Sequence, residues 1–227
     1  MTAADASGQH WSGWSMIGLD QEPVVASIEL RGSARDGREA LGARALTVIE
    51  KTFPEENLTV APRFVEPPPE VQERIARERA KLADIYGRRE PYAPPVEPFV
   101  RPVPGIKTSI FGMRRLFNGQ PRSPHPGLDL RAEEGTPVHA SGPGRVVLAE
   151  DLYYSGNTVI IDHGGGLFTL YAHLSEINVT AGDQVSAGDL VGLSGSTGRV
   201  TGPHLHWGAK IGDRPFDPEA LLAPVLF

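Results

Sequence analysis

The sequence predicts a mainly β protein: a small N-terminal β region, one linking helix, and a small antiparallel β barrel or sandwich at the C-terminal end. Three observations carry that expectation. Short runs rich in Val, Ile, Thr and aromatic residues recur along the chain, separated by Gly, Pro, Asn and Asp. Only one segment, near residues 70–86, repeats its apolar residues with a helical period. Gly (26) and Pro (21) are abundant in 227 residues, which suits a protein made of short strands and tight turns.

Residues 1–66 hold four candidate strands, Trp14 to Leu19, Val24 to Leu30, Ala43 to Ile49 and Asn57 to Val60. Ser27-Ile28-Glu29-Leu30 alternates polar and apolar, so one face of that strand is expected to be buried. Four short strands make a thin unit. The expectation is a truncated immunoglobulin-like domain, or a region that leans on the rest of the chain.

Residues 67–104 are read as a helix plus a proline-rich linker. Pro67-Pro68-Pro69 can precede or open a helix but not lie inside one. From about Glu70 to Tyr86, the residues Val71, Ile75, Leu82 and Tyr86 form one stripe of a 3.6-residue period. Glu70 and Glu73 complement the helix dipole, and Gly87 is expected to end the helix. Residues 91–104 read as an extended, stiff connector.

Residues 105–227 form the predicted β domain. Its candidate strands are Leu128 to Arg131, Pro137 to Ala140, Gly144 to Ala149, Thr158 to Asp162, Phe168 to His173, Asp189 to Leu193 and His204 to Ile211. Gly164-Gly165-Gly166 between two apolar runs reads as a hairpin turn. Ala181-Gly-Asp-Gln-Val and Ala187-Gly-Asp-Leu-Val form a small tandem repeat of turn and strand.

Composition narrows the function classes. A net charge of −6 provides no global basic field for a nucleic-acid backbone. No apolar run approaches the roughly 20 residues of a membrane-spanning helix, so no transmembrane segment is expected. Cysteine is absent, which excludes disulfides and thiolate metal sites. Met1 to Gln9 is small and polar and does not read as an export leader.

Two histidine signatures carry the chemistry. His125-Pro-Gly-Leu-Asp129 is an H-x-x-x-D whose Pro126 and Gly127 argue for a turn entering a strand rather than a helix. His204-Leu-His206 is an H-x-H, and on a strand its two imidazoles face the same way. His125, Asp129 and one member of the H-x-H would supply three donors and leave a coordination position for water, as catalytic zinc sites do. Spacing alone does not show that these groups converge. His139 is read as structural, His163 as a partner of the turn backbone, and His10 as solvated.

A longer series of motifs resembles the LytM/lysostaphin-type zinc metallopeptidases, which cut the peptide part of peptidoglycan. It includes Phe111-Gly-Met-Arg-Arg115, Phe117-Asn-Gly119, His125-Pro-Gly-Leu-Asp129 and Gly135-Thr-Pro-Val138. It continues through Gly156-Asn-Thr-Val-Ile-Ile-Asp-His-Gly164, Thr169-Leu-Tyr-Ala-His-Leu174, Ser194-Gly-Ser-Thr-Gly198 and His204-Leu-His206. The resemblance implies that residues 105–227 are a LytM-type metallopeptidase domain. It implies His125, Asp129 and His206 as zinc ligands, with His173 and His204 as an unligated catalytic pair; which of the two is the general base stays open. Asn157, Tyr154 and Arg115 are candidate substrate-binding residues.

The resemblance to Gram-negative members of this group implies D-alanyl-meso-diaminopimelyl cross-links in peptidoglycan peptide stems as substrate, with pentaglycine bridges as runner-up. That substrate implies a periplasmic or secreted protein, so residues upstream of Met1 are expected. Two other readings compete with this one. One is a catalytically inactive relative that binds cell wall or activates an amidase; the five intact positions count against it. The other is a biotinyl/lipoyl-like carrier, suggested by the repeat from Val179 to Asp189, but after Lys107 only Lys210 is available for attachment. The sequence leaves oligomeric state open, as well as any autoinhibition by the N-terminal region.

Overall fold

The computed structural model describes residues 2–3, 11–12, 17–19, 21–33, 38–88, 95 and 99–223. In chain order its first elements are β1 (Thr2–Ala3), β2 (Trp11–Ser12), β3 (Val24–Ser33), β4 (Glu39–Val48), β5 (Glu55–Leu58) and the helix α1 (Pro69–Gly87). There follow β6 (Lys107–Ser109), β7 (Arg114–Phe117), β8 (Gln120–Pro121), β9 (Gly127–Leu130), β10 (Pro137–His139) and β11 (Gly144–Leu152). The last are β12 (Gly156–Asp162), β13 (Leu167–Ile177), β14 (Gln184–Val185), β15 (Leu190–Ser194), β16 (Leu205–Ile211) and β17 (Arg214–Phe216). The protein is mostly β with antiparallel pairing almost throughout, as the sequence predicts, β5 and β7 pairing in parallel.

The main sheet runs β14-β11-β12-β13-β16-β9-β6, with β10 joined to β15, β15 to β13, and β17 to β16. Along the edge of β13 opposite β12, residues Leu167 to Ala172 pair with β16, whereas Leu174 to Ile177 pair with β15. One strand therefore serves two partners in succession, and His173 is the residue at the handover.

Both faces of this sheet are covered. Val159 and Ile161 of β12 join Leu128, Leu130, Tyr171 and Trp207 in the main core. Ile160, between them, faces the other way and packs with Phe168 against Ile85 and Tyr86 of α1. This two-sided burial explains why Thr158 to Asp162 lacks polar alternation. Each such side chain contributes about 1.5–3 kcal/mol by leaving water. The helical stripe holds, with Ile75 and Tyr86 buried and Ile85 added to it. Gly87 is the last helical residue rather than a left-handed stop, and the chain leaves through Arg88 in extended geometry (φ −75, ψ 148).

The β3–β4 hairpin is less buried than its alternation suggests. Ala26, Ile28, Leu46 and Val48 alternate correctly but are only half-buried, because among the described residues no second layer covers this two-stranded ribbon. Residues 14–16 and the Leu30 side chain lie outside the described residues, and Ile17 to Leu19 is not a strand. His10 and most of the connector also lie outside them. Phe99 and Val103 of the connector are anchored in the main core. Among the described residues no helix is long and apolar enough to cross a membrane.

The turn chemistry matches its sequence signals. All three residues of Gly164–Gly166 adopt positive φ between β12 and β13. In the tandem repeat, the carboxylates of Asp183 and Asp189 accept from the backbone N–H groups of Thr180 (2.8 Å) and Ser186 (2.7 Å). The repeat is thus a twice-used turn.

His163 is buried, with Nδ1 at 2.7 Å from the Pro143 carbonyl and Nε2 at 2.8 Å from the Thr169 hydroxyl. Its partners are therefore on β13 and before β11, not in the adjoining turn. Burial pushes this imidazole down to about 4. An unfolded histidine titrates near 6.5. Between those values the unfolded chain binds a proton that the folded chain refuses, so stability falls as pH drops through that window. The expected loss is up to about 3 kcal/mol. Thermal unfolding from pH 8 to 4 should give a flatter profile for His163→Asn by that amount.

Candidate active site

Strands β9 and β16 lie side by side in a register that sets Asp129 opposite His206 and Leu128 opposite Trp207. Leu128, Leu130, Leu205 and Trp207 are fully buried on the core face. The alternate residues, Asp129 and His206, turn to the opposite face. His204 precedes β16 and forms an isolated bridge with Gly195. The H-x-H therefore aims both imidazoles the same way. His125 enters from the turn before β9. Gly127 has no room for a Cβ, which would sit 2.8 Å from the His206 ring and 2.6 Å from the Trp207 carbonyl. That contact accounts for the glycine within His125-Pro-Gly-Leu-Asp129.

The three candidate metal ligands converge. His125 Nε2 is 3.0 Å from Asp129 Oδ1, His206 Nδ1 is 2.8 Å from the same oxygen, and the two ring nitrogens are 2.9 Å apart. These edges are slightly shorter than the roughly 3.3 Å expected between donors around a tetrahedral ion with 2.0–2.1 Å bonds. The His125 tautomer fits: Nδ1–H donates to the Ile110 carbonyl at 2.9 Å, which leaves the Nε2 lone pair toward Asp129 and His206. Burial alone would raise the Asp129 carboxyl, but hydrogen bonds and charges from His125 and His206 hold it well below the usual carboxylate range. Burial pushes His206 down to about 4 against the pull of Asp129. An ionised carboxylate and neutral imidazoles are the forms that coordinate a metal.

His173 and His204 lie beside this group, their ring centroids 4.9 Å apart, and His173 is 6.0 Å from His206. His173 occupies a bulge of β13 with φ 66, a left-handed conformation rare for a non-glycine residue. The bulge falls where β13 changes partners, and it re-aims the imidazole. The Nδ1–H of His173 donates to the Thr197 carbonyl (2.9 Å) and that of His204 to the Gly202 carbonyl (2.8 Å). Each is left with an Nε2 lone pair. Burial, with His206 and His204 adjoining, pushes His173 down to about 3, so it starts neutral.

Arg115 lines the same cleft as the histidines but is committed to bracing the site. Its Nη2 reaches Asp129 Oδ2 at 2.5 Å, while its Nε reaches Glu56 at 2.7 Å. The Ser109 hydroxyl lies 3.0 Å from the same Glu56 oxygen and 3.3 Å from His125 Nδ1. Glu56 arrives on β5, which pairs in parallel with β7 in a register that sets Glu56 opposite Arg115. Nothing in the sequence couples these residues, which are far apart in the chain. Arg115→Gln, which removes the group bonded directly to Asp129, is expected to weaken metal binding about 10–100-fold, the usual effect of losing an outer-shell partner, as a competing chromophoric chelator would read.

The group opens into a cleft of about 590 Å³. Tyr154 lines it; Asn157 does not, its amide donating to the Ser175 carbonyl at 3.3 Å. Leu82 and Tyr86 of α1 also line it.

Fold and site define a class first: a mostly β protein in which a His/Asp/His group can hold a metal ion at the floor of a cleft. Comparison with known proteins sharpens this. The model of peptidase family M23 matches residues 123–218. A solved structure from Pseudomonas aeruginosa, assigned to peptidase M23, is 32% identical, with a TM-score of 0.69 over 92% of this chain and 78% of that one. A zinc-containing peptidase from Vibrio cholerae is 34% identical, with a TM-score of 0.51 over 57% of this chain and 41% of that one. Peptidoglycan DD-endopeptidase ShyA of Vibrio cholerae is 49% identical over 109 residues, 48% of this chain and 25% of ShyA. The chain thus spans about a quarter of the length of that curated relative. The chain belongs to peptidase family M23.

Proposed function

We propose that the protein is a zinc-dependent endopeptidase that hydrolyses peptide cross-links of bacterial peptidoglycan, at D-alanyl-meso-diaminopimelyl bonds, in the periplasm or outside the cell. The observation that carries this reading is the convergence of His125, Asp129 and His206 on one face, with two further imidazoles beside them. The similarity to a relative named a DD-endopeptidase supports the choice of bond. Residues 105–227 are read as the peptidase unit, with 67–104 as helix and linker and 1–66 as an accessory β region.

In this reading His125, Asp129 and His206 hold the zinc. Zinc bound there would acidify a water and polarise the scissile carbonyl. His173 and His204, each with a free Nε2, accept the proton from the water, deliver it to the leaving amine, and hydrogen-bond the developing oxyanion. The backbone carbonyls of Thr197 and Gly202 fix both rings for that task. Arg115 holds Asp129 in place through its second carboxylate oxygen.

The test is cleavage of purified sacculi and of a defined muropeptide dimer by zinc-loaded protein. Mass spectrometry should find fragments cut at the D-alanyl-diaminopimelyl amide, and a chelator should stop the reaction. Undiminished cleavage by metal-free protein, or a cut elsewhere in the dimer, would sink this reading.

A further inference from the structure

Arg199 lies in the loop between β15 and β16 and lines the cleft. Its backbone N–H donates to the Tyr154 carbonyl at 2.8 Å. Its guanidinium carbon sits 4.4 Å from the ring centroid of Phe117 and 4.8 Å from that of Tyr154. The side chain is thus held between two aromatic faces.

What it lacks is an anion. The charges that act on it at neutral pH are the like charges of Arg115 and Arg122, and among the described residues no carboxylate forms an ion pair with it. Its neighbours are differently placed. Arg115 is committed to Glu56 and Asp129, and Arg122 to the Val65 carbonyl and Gln120. Burial pushes the Arg199 guanidinium down to about 10. Taking a cation partly out of water is costly, and aromatic faces offset that only in part. Five N–H donors in a planar fork match a carboxylate bidentately.

We propose that Arg199 anchors a free carboxylate of the substrate peptide and so selects cross-links that carry one beside the scissile amide. This rests on the endopeptidase reading above. In a D-alanyl-meso-diaminopimelyl cross-link, the carbon that bears the scissile nitrogen also bears a free carboxylate. A pentaglycine bridge has no such group, and amidated diaminopimelate has lost its charge. Phe117 and Tyr154 fix the plane of the fork, and the loop that carries Arg199 also supplies the Thr197 carbonyl that orients His173. Anchor and catalytic imidazole are therefore positioned by one segment.

The test uses the full chain loaded with zinc and two muropeptide dimers that differ only in whether this carboxylate is free or amidated. The stem tripeptides ending in the same two forms of diaminopimelate serve for calorimetric binding. The wild type should prefer the free form about 10–100-fold in kcat/KM and in affinity, the scale of a charge-assisted bidentate contact. Arg199→Gln should erase that preference, and Arg199→Lys should keep part of it. A purely structural role would lower both substrates alike and leave the ratio untouched; that result, or a wild type indifferent to amidation, overturns the proposal. If dimers are cleaved without preference, the endopeptidase reading stands and the anchor falls. If neither dimer is cleaved but the binding preference is present and lost in Arg199→Gln, the anchor stands and the endopeptidase reading falls.

Discussion

Asp129→Asn is expected to abolish metal retention and cleavage together. Oδ1 of Asp129 is the point on which the site closes, 2.8 Å from His206 Nδ1, 3.0 Å from His125 Nε2 and 3.7 Å from His204 Nε2. Asparagine keeps the shape but removes the charge that favours a cation there. It also removes the anion that Arg115 faces at Oδ2. The loss of zinc affinity should exceed the roughly 10–100-fold cost of losing an outer-shell partner, since a ligand itself is gone. The Arg115 guanidinium keeps Glu56 as its partner, so the metal-free protein should lose some stability, but less than the roughly 3–5 kcal/mol of a buried charge left unpaired. Zinc content after dialysis, muropeptide release and chemical denaturation read these three effects. A variant that still holds one zinc per chain and cleaves would remove Asp129 from the metal site.

The second large effect separates chemistry from coordination. His173→Asn and His204→Ala are each expected to lower kcat about 10²–10⁴-fold, the range for loss of a positioned acid or base, with zinc content unchanged. Asparagine is the informative replacement at position 173 because the backbone there has φ 66, which asparagine tolerates and alanine does not. The double variant should lose little more than the weaker single one, because residues that act as a unit are not additive. Loss of zinc in either single variant would instead make that histidine a ligand, and the assignment of roles would have to change.

Much of this site was legible from residue order because its parts are strand-borne. Alternation put His206 and its neighbour Leu205 on opposite faces, and the turn-forming Pro126-Gly127 correctly denied a helix at His125. The helix was legible for the same reason, since Ile75 and Tyr86 sit on one stripe of an unbroken period. Residues that act through long-range pairing were not. Glu56 reaches Arg115 only because β5 docks in parallel on β7, and neither strand has enough apolar length to announce that partnership. His173 gives no hint of its backbone geometry, since a bulge is one extra residue in a strand pair and shows only once the pairing is known. Arg199 carries no signal in residue order, because a lone arginine in a Gly-rich loop says nothing of the aromatic rings that flank it.

The docking of β5 has a corollary for anyone trimming the molecule. A shorter protein starting at residue 105 would delete Glu56, strip one side from the Arg115 fork, and remove Phe53, whose ring fills the space beside Gly112. It would also bare the edge of β7 to stray pairing with other chains. A fragment cut there would be prone to stick to itself and slow to reload with metal, so the useful starting point is upstream of Phe53.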